Sequence, residues 1–201
     1  FLVGLIDRVD VSHFRLSIHL LLAFILISLI YWNYLKLKNK IYNEKRLNSF
    51  LPIFFVLLIF CQISLGAFVS GMDAGKIYNS WPLMGSGYYP DDNTFNNLFK
   101  LSAFSDPSLV QFMHRNLAYL ILIVYFFIAY KIYKNDLFEQ YNLVKVLGLL
   151  LILQIIFGIL TLLYGAQIYI ASAHQVSSIF LVSSSIYLLF KNTKFNLQPS
   201  G

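Results

Sequence analysis

The chain has 201 residues, of which 58% are hydrophobic, 17% are aromatic and only 12% are charged, and its net charge is +6. Charged residues make up about 25% of a typical soluble domain, so this composition excludes a soluble enzyme domain, a disordered tail and a nucleic-acid-binding module. We predict an all-α membrane protein, a polytopic bundle of transmembrane helices.

Five apolar runs are long enough to cross a membrane as helices, which takes about 20 residues each. They cover residues 16–35, 50–70, 111–130, 144–164 and 173–190. Because there are five spans and the first residue is Phe1 rather than methionine, we expect a piece of a larger protein.

Basic residues are distributed unevenly between the two sets of connecting segments. Ten of the 15 follow the first and third spans or lie in the C-terminal tail, whereas the other set carries five basic and six acidic residues. Lysine and arginine accumulate in cytoplasmic loops. We therefore predict residues 1–15, 71–110 and 165–172 outside, and the C-terminus in the cytoplasm or an equivalent compartment.

The long outer connection, residues 71–110, is expected to fold back over the membrane face, because long loops commonly bind or cover ligands. Its aromatic, polar and turn-forming residues include Asp73, Tyr78, Asn79 and Trp81. The alternative is an aromatic belt at the membrane interface. A short amphipathic helix is expected over residues 93–103. With one cysteine, Cys61, no disulfide within the chain can hold this loop.

A short pattern, glutamine followed four residues later by glycine, occurs in both the second and the fourth span. Gln62 and Gly66 form the first copy, and Gln154 and Gly158 form the second at a similar depth. Small residues for helix packing explain the pattern without a special function. Repeated halves, which are common in membrane folds, are the other explanation.

Three of the four histidines lie at one depth. His19, His114 and His174 are the fourth, fourth and second residues of the first, third and fifth spans, which all enter from outside. Ionisable residues in spans are functional candidates because their burial in lipid is costly. The alternative for each is an interfacial histidine bonded to backbone or headgroup, and His13 is expected to be a solvated loop residue.

A haem is one ligand that such imidazoles could hold, since it needs two opposed imidazoles and an apolar slot. Each histidine has a small residue one turn deeper on the same face, Ala23, Ala118 or Ser178, which leaves room for a flat macrocycle. Zinc or copper also binds imidazole, but no cysteine or carboxylate lies at this depth in a span. Arg115 and Arg15 are placed either to meet haem propionates or to snorkel to the interface.

Several longer motifs resemble the haem A synthase family, in its mitochondrial and alphaproteobacterial form. They are DRVDVS at 7–12, RLSIH at 15–19, GAFVSGMDAG at 66–75, YNSWPLM at 78–84, QFMHR at 111–115 and AHQ at 173–175. The resemblance covers essentially the whole chain. One departure is Lys100, which stands where the family commonly has glutamate and leaves the role of that acid open.

The resemblance implies an eight-helix protein made of two similar four-helix halves. Residues 1–35 would hold the last helix of the first half, and 36–49 a cytoplasmic loop. Residues 50–190 would form the whole second half, followed by a cytoplasmic tail at 191–201. The family oxidises a ring methyl group of haem O to a formyl group, which gives haem A for cytochrome oxidase.

The resemblance also assigns roles to the candidate residues. His114 and His174 would ligate the iron of a haem b, with Arg115 beside them, and His19 would ligate the iron of the substrate haem O. The other catalytic residues would precede Phe1, so we expect this fragment alone to be inactive. A cytochrome b subunit that only transfers electrons is the main alternative. A transporter would need broken helices and polar span centres, whereas the centres here are apolar except for Gln62 and Gln154.

The partners implied are haem O as substrate, haem O synthase and cytochrome oxidase assembly factors, an electron donor and membrane lipid, but no nucleic acid. The expected location is a bacterial inner membrane or the mitochondrial inner membrane, with the histidines near the outer face.

Overall fold

Five long α-helices make up most of the computed structural model, which describes residues 12–38 and 46–193. In chain order they are α1 (His13–Lys38), α2 (Phe50–Gly71), α3 (Pro107–Lys134), α4 (Tyr141–Leu163) and α5 (Ile168–Asn192). Each is long and apolar enough to cross a membrane, and the described ranges contain no β-strand. The prediction of an all-α, multi-pass membrane protein is confirmed.

Most helices extend beyond the apolar runs from which they were predicted. The largest difference at a single end is at α5, which begins at Ile168, so most of the expected outer segment 165–172 is helical. The interface tolerates polar residues that an apolar run cannot include, so hydropathy detects the central turns and misses the terminal ones. The expected outer segment 1–15 and the tail 191–201 fall largely outside the described residues, as does half of the loop 36–49.

Helices α2 to α5 share one core, and α1 packs against α2 and α5. The last turns of α1, α3 and α5 carry Lys36, Lys38, Lys131, Lys134 and Lys191. We call this the lysine end of the bundle. The opposite end carries the connection between α2 and α3, residues 72–106, and is called the loop end.

Asn192 ties three helices together at the lysine end, where its side chain is completely buried. Its Oδ1 accepts from the backbone N–H of Leu47 at 2.7 Å and from Nε2 of Gln140 at 3.1 Å. Its Nδ2 donates to Oε1 of Gln140 and to the carbonyl of Leu188, both at 2.8 Å. The residues that precede α2 and α4 are thereby fixed against the end of α5.

The apolar core is dense towards the lysine end and less completely buried at one level nearer the loop end, beyond which Ala67, Leu109 and Val110 are buried again. Fully buried side chains of the core include Phe55, Ile128, Ile132, Leu147 and Leu188. By contrast, no fully buried residue occurs at 60–66 of α2, 112–120 of α3, 155–161 of α4 or 168–180 of α5. These four stretches lie at the same level, so the bundle is incompletely packed there.

The connection at the loop end is irregular but ordered. It contains short 3₁₀-helices at Ala74–Lys76, Phe95–Phe99 and Leu101–Ser105. The amphipathic helix expected over 93–103 is therefore present only as two 3₁₀ segments, which the extended backbone of Lys100 separates. Asp106 then caps α3 by accepting from the N–H of Leu109 at 3.0 Å, an arrangement typical of helix starts.

Candidate functional site

His114 of α3 and His174 of α5 both lie at the loosely packed level of the bundle. Nδ1 of each ring is buried and has no hydrogen-bond partner among the described residues. Buried polar atoms are nearly always paired, so two unpaired ring nitrogens in a loosely packed region indicate a site that a ligand completes.

A glutamine and a glycine of α2 surround His114. Nε2 of Gln62 donates to the backbone carbonyl of His114 at 3.0 Å and lies 3.2 Å from its ring Nε2. One turn further along α2, Gly66 faces the ring so closely that a Cβ there would lie 3.2 Å from Cε1 of His114. The absence of a side chain at Gly66 lets the imidazole lie against the backbone of α2.

The same arrangement recurs between α4 and α5. Nε2 of Gln154 donates to the backbone carbonyl of His174 at 3.2 Å and to the hydroxyl of Ser177 at 2.5 Å. A Cβ at Gly158 would lie 3.3 Å from Cε1 of His174. The two glutamine–glycine pairs therefore contact the two histidines. The repeat is visible in the sequence, but this role was not predicted from it.

His19 does not join this pair. It lies on the exposed side of α1, together with Arg15, Ile18 and Leu22. The packed side of α1 is marked instead by Ser17, whose hydroxyl donates to the carbonyl of Ser64 in α2 at 3.4 Å. The three histidines expected at one depth thus divide into a pair inside the bundle and one residue that faces away from it.

Arg115 is bonded to the outer connection. Its guanidinium donates to the carbonyls of Ser80 at 3.0 Å, Leu83 at 3.3 Å and Tyr78 at 3.1 Å, while its buried Nε has no partner. Gln111, one turn earlier on α3, donates to the same Tyr78 carbonyl at 3.1 Å. These contacts hold the connection over the histidine level.

Further side chains extend this attachment. Nδ2 of Asn79 donates to the carbonyl of Leu162 at the end of α4 at 2.7 Å. On α3, the hydroxyl of Tyr119 accepts from the indole of Trp81 at 3.0 Å, and Asn116 accepts from the hydroxyl of Tyr88 at 2.7 Å. The connection is a cover fixed to two helices, as expected from its composition. Asp73 is different, because within the described ranges its carboxylate pairs only with Lys76 at the surface, at 2.7 Å.

Asp92 links the cover to the first turn of α3. Its carboxylate accepts from the hydroxyls of Ser108 at 2.6 Å and Tyr78 at 3.0 Å. Burial disfavours the ionised form, but its hydrogen bonds, of which those from Ser108 and Tyr78 are the strongest, together outweigh burial and hold the pKa of Asp92 below the ordinary value of 3.8. Asp91 accepts from the backbone N–H and hydroxyl of Ser86, and these bonds lower its pKa as well.

The donor set at the site limits what it can bind. Among the residues that the structure describes, no three histidine, cysteine or acidic side chains come together as a metal-binding group. Two imidazoles without further protein ligands suit a metal that already carries a planar ligand of its own, as a haem does. The side chains at this level are less completely buried than those of the core.

Comparison with known proteins identifies the family of this chain. The pattern that defines the COX15-CtaA family, described as cytochrome oxidase assembly protein, matches residues 2–186. The chain belongs to this family. The match spans all five helices and confirms the resemblance seen in the motifs.

Several bacterial proteins named Heme A synthase are similar to the chain. That of Pelagibacter ubique is 44% identical over 94% of this chain. Those of Flavobacterium johnsoniae and Rickettsia felis are 37% and 36% identical over 95% and 93% of it. The chain spans only 56–58% of the length of these relatives. No solved structure matches it significantly.

Proposed function

We propose that this chain carries the haem b half of a haem A synthase, an oxidoreductase that converts the methyl group of haem O into the formyl group of haem A. The observation that carries the proposal is the pair of His114 and His174 with unpartnered ring nitrogens in an open part of the bundle. The similarity to proteins named Heme A synthase supports it.

In this proposal His114 and His174 would ligate the iron of haem b, which would supply reversible one-electron transfer. The cover held by Arg115, Gln111 and Asn79 keeps water away from the loop end of the site. Most N–H donors of the Arg115 guanidinium are bonded to carbonyls of the cover. Arg115 therefore holds the cover in place more directly than it would bind a haem propionate.

His19 belongs to the second haem of the proposal, the substrate haem O. Its position on the exposed side of α1 keeps it away from the pair within α3 and α5. We assign it to a site formed against the other four-helix half of the family's architecture. Oxidation of haem O therefore requires both halves together. Haem O synthase, cytochrome oxidase assembly factors and an electron donor are its expected partners.

The orientation of the chain in the membrane is also a proposal. The lysines in the last turns of α1, α3 and α5 all lie at one end of the bundle. Following the charge rule, we place this lysine end in the cytoplasm or matrix, and the histidines near the outer face of a bacterial or mitochondrial inner membrane.

A chimera tests the function. The three helices that would precede α1 in the eight-helix architecture are taken from the Pelagibacter ubique relative, joined to this chain and expressed in cells that make haem O but lack a haem A synthase. We expect extracted haems to include haem A, and His114→Ala or His174→Ala to leave only haem O. Gln167→Ala, which alters an exposed residue at the start of α5, is the control. A chimera with a haem b spectrum that never forms haem A would instead support a cytochrome that only transfers electrons.

A further inference from the structure

The cover has an apolar edge at residues 95–105, which form two of its short 3₁₀-helices. We call this segment the rim. Ala103 of the rim is buried, but four of its large apolar side chains are exposed, namely Phe95, Phe99, Leu101 and Phe104. Leu101 and Phe99, at 90% and 76%, are among the most exposed large apolar side chains that the structure describes. Exposed apolar residues that adjoin one another in this way indicate contact with a membrane or with another protein.

Ring contacts place the rim beside the helices rather than above their ends. The ring of Phe104 lies 6.2 Å from that of Phe68, in the last turn of α2. At the other end of the rim, Phe95 lies 5.9 Å from Tyr89, which lies 5.0 Å from Phe112 in the second turn of α3. Since a helix rises about 1.5 Å per residue, Phe68 and Phe112 lie roughly 4 to 8 Å inside the ends of their helices. The rim is therefore level with the terminal turns of α2 and α3.

The charge of the rim fits that level. Its sequence, FNNLFKLSAFS, contains Lys100 as its only charged residue and no acidic residue. Lys100 is exposed between Phe99 and Leu101, and its Nζ donates to Oδ1 of Asn97 at 2.9 Å. A lysine at a membrane surface extends its amine towards the headgroups while its stem lies among apolar groups. Apolar side chains beside a basic residue are typical of segments that lie in the membrane interface.

We propose that the rim lies in the membrane interface at the loop end, with Phe99 and Leu101 in contact with lipid acyl chains, and that this contact fixes the edge of the cover to the bilayer. Lipid is the occupant because the rim continues the outer surface of the spans. Phe68, which contacts the rim, also lies 5.2 Å from the ring of Phe14, an exposed residue in the first turn of α1. The cover is thus held by α3 and α4 through hydrogen bonds and by lipid at its rim.

Spin labels on the rim test this contact without haem, so the result is independent of the proposed function. The chain has one cysteine, Cys61, which is exposed near the middle of α2. In a Cys61→Ser background, Leu101→Cys and Phe99→Cys place labels on the rim. Ser86→Cys is the control for water, because Ser86 is exposed in a polar turn of the cover. The native Cys61 is the control for lipid.

Each labelled protein is reconstituted in phosphatidylcholine vesicles, and the collision rates of the label with oxygen and with a water-soluble nickel chelate are measured. Oxygen concentrates among acyl chains, whereas the chelate stays in water. We expect the ratio of oxygen to nickel collisions at Leu101 and Phe99 to exceed that at Ser86 several-fold and to approach that at Cys61. A ratio equal to that at Ser86 would overturn the proposal, because the rim would then lie in water.

Contact with protein instead of lipid gives a different result. Labels on the rim that neither reagent reaches would overturn the proposal in favour of a contact with a second copy of the chain. The same labels are therefore also measured in the chimera described above, which carries the helices that would precede α1. Access to oxygen that is present in this chain but lost in the chimera would contradict the proposal as well, because those helices would then cover the rim. Oxygen access retained in both proteins is the result we expect.

Discussion

Replacing Asn192 by alanine should strongly destabilise the lysine end of the bundle. The four hydrogen bonds of this side chain would disappear, and the N–H of Leu47 and both polar atoms of the Gln140 amide would lose their Asn192 partner at a buried site. An unpaired buried polar group costs about 1–3 kcal/mol. Taking the lower value for each of these groups, we expect a loss of about 3 kcal/mol in the free energy of unfolding.

The assay is equilibrium unfolding in mixed detergent micelles, followed by far-ultraviolet circular dichroism. Asn33→Ala is the matched control, because Asn33 is exposed and makes a single bond, to the carbonyl of Leu29 at 2.9 Å. Its loss should change stability by no more than about 0.5 kcal/mol. If both variants lost the same small amount, the reasoning that Asn192 connects three helices would be refuted.

Two further predictions concern the cover. Arg115→Gln should speed hydrogen exchange of the backbone around Tyr78 at least several-fold, because three loop carbonyls lose their cationic donor. The haem spectrum should persist. Unchanged exchange would show that other bonds are sufficient to hold the cover. Folding lowers the pKa of the Asp92 carboxyl group. The contribution of this carboxylate to stability is therefore complete above pH 3.8, and it is lost only as the pH falls through the still lower pKa of the folded protein. Proteolysis of the cover by pepsin should therefore rise below about pH 4 and lose this dependence in Asp92→Asn; a rise already near pH 6 would contradict the assignment.

Much of the fold could be predicted because the membrane imposes it. A helix is the way in which a single apolar segment satisfies its backbone in lipid, so apolar runs of the right length define all five helices. The ends of the helices were harder to predict from the sequence. The first turn of α5, from Ile168, contains tyrosine and small residues that lower the hydropathy, and its extent depends on contacts with the neighbouring helix rather than on composition.

His114 and His174 were singled out from the sequence, but the residues that surround them were not predicted. The depth of His114 and His174 follows from counting residues along each span, and this is sufficient to bring them to one level. Which helix faces which histidine depends on the rotation of each helix about its axis. Periodicity does not determine this rotation in helices that are apolar on all sides. The contacts of Gln62 and Gln154 therefore emerged only from the structure.

The partners of Arg115 could not be predicted from the sequence for a different reason. A cation beside a candidate ligand could pair with a haem propionate, with lipid headgroups or with a nearby loop. The choice depends on where the chain returns in space, and Tyr78, Ser80 and Leu83 are more than thirty residues away in sequence. The direction of His19, away from the pair, likewise required the packing of α1.

The most direct test of the central claim is low-temperature electron paramagnetic resonance of the purified chain with oxidised haem b. We predict one low-spin signal characteristic of two imidazole ligands, which is lost in both His114→Ala and His174→Ala and retained in His19→Ala. A low-spin signal that survives either of the first two substitutions, or disappears with His19→Ala alone, would contradict the assignment of the pair.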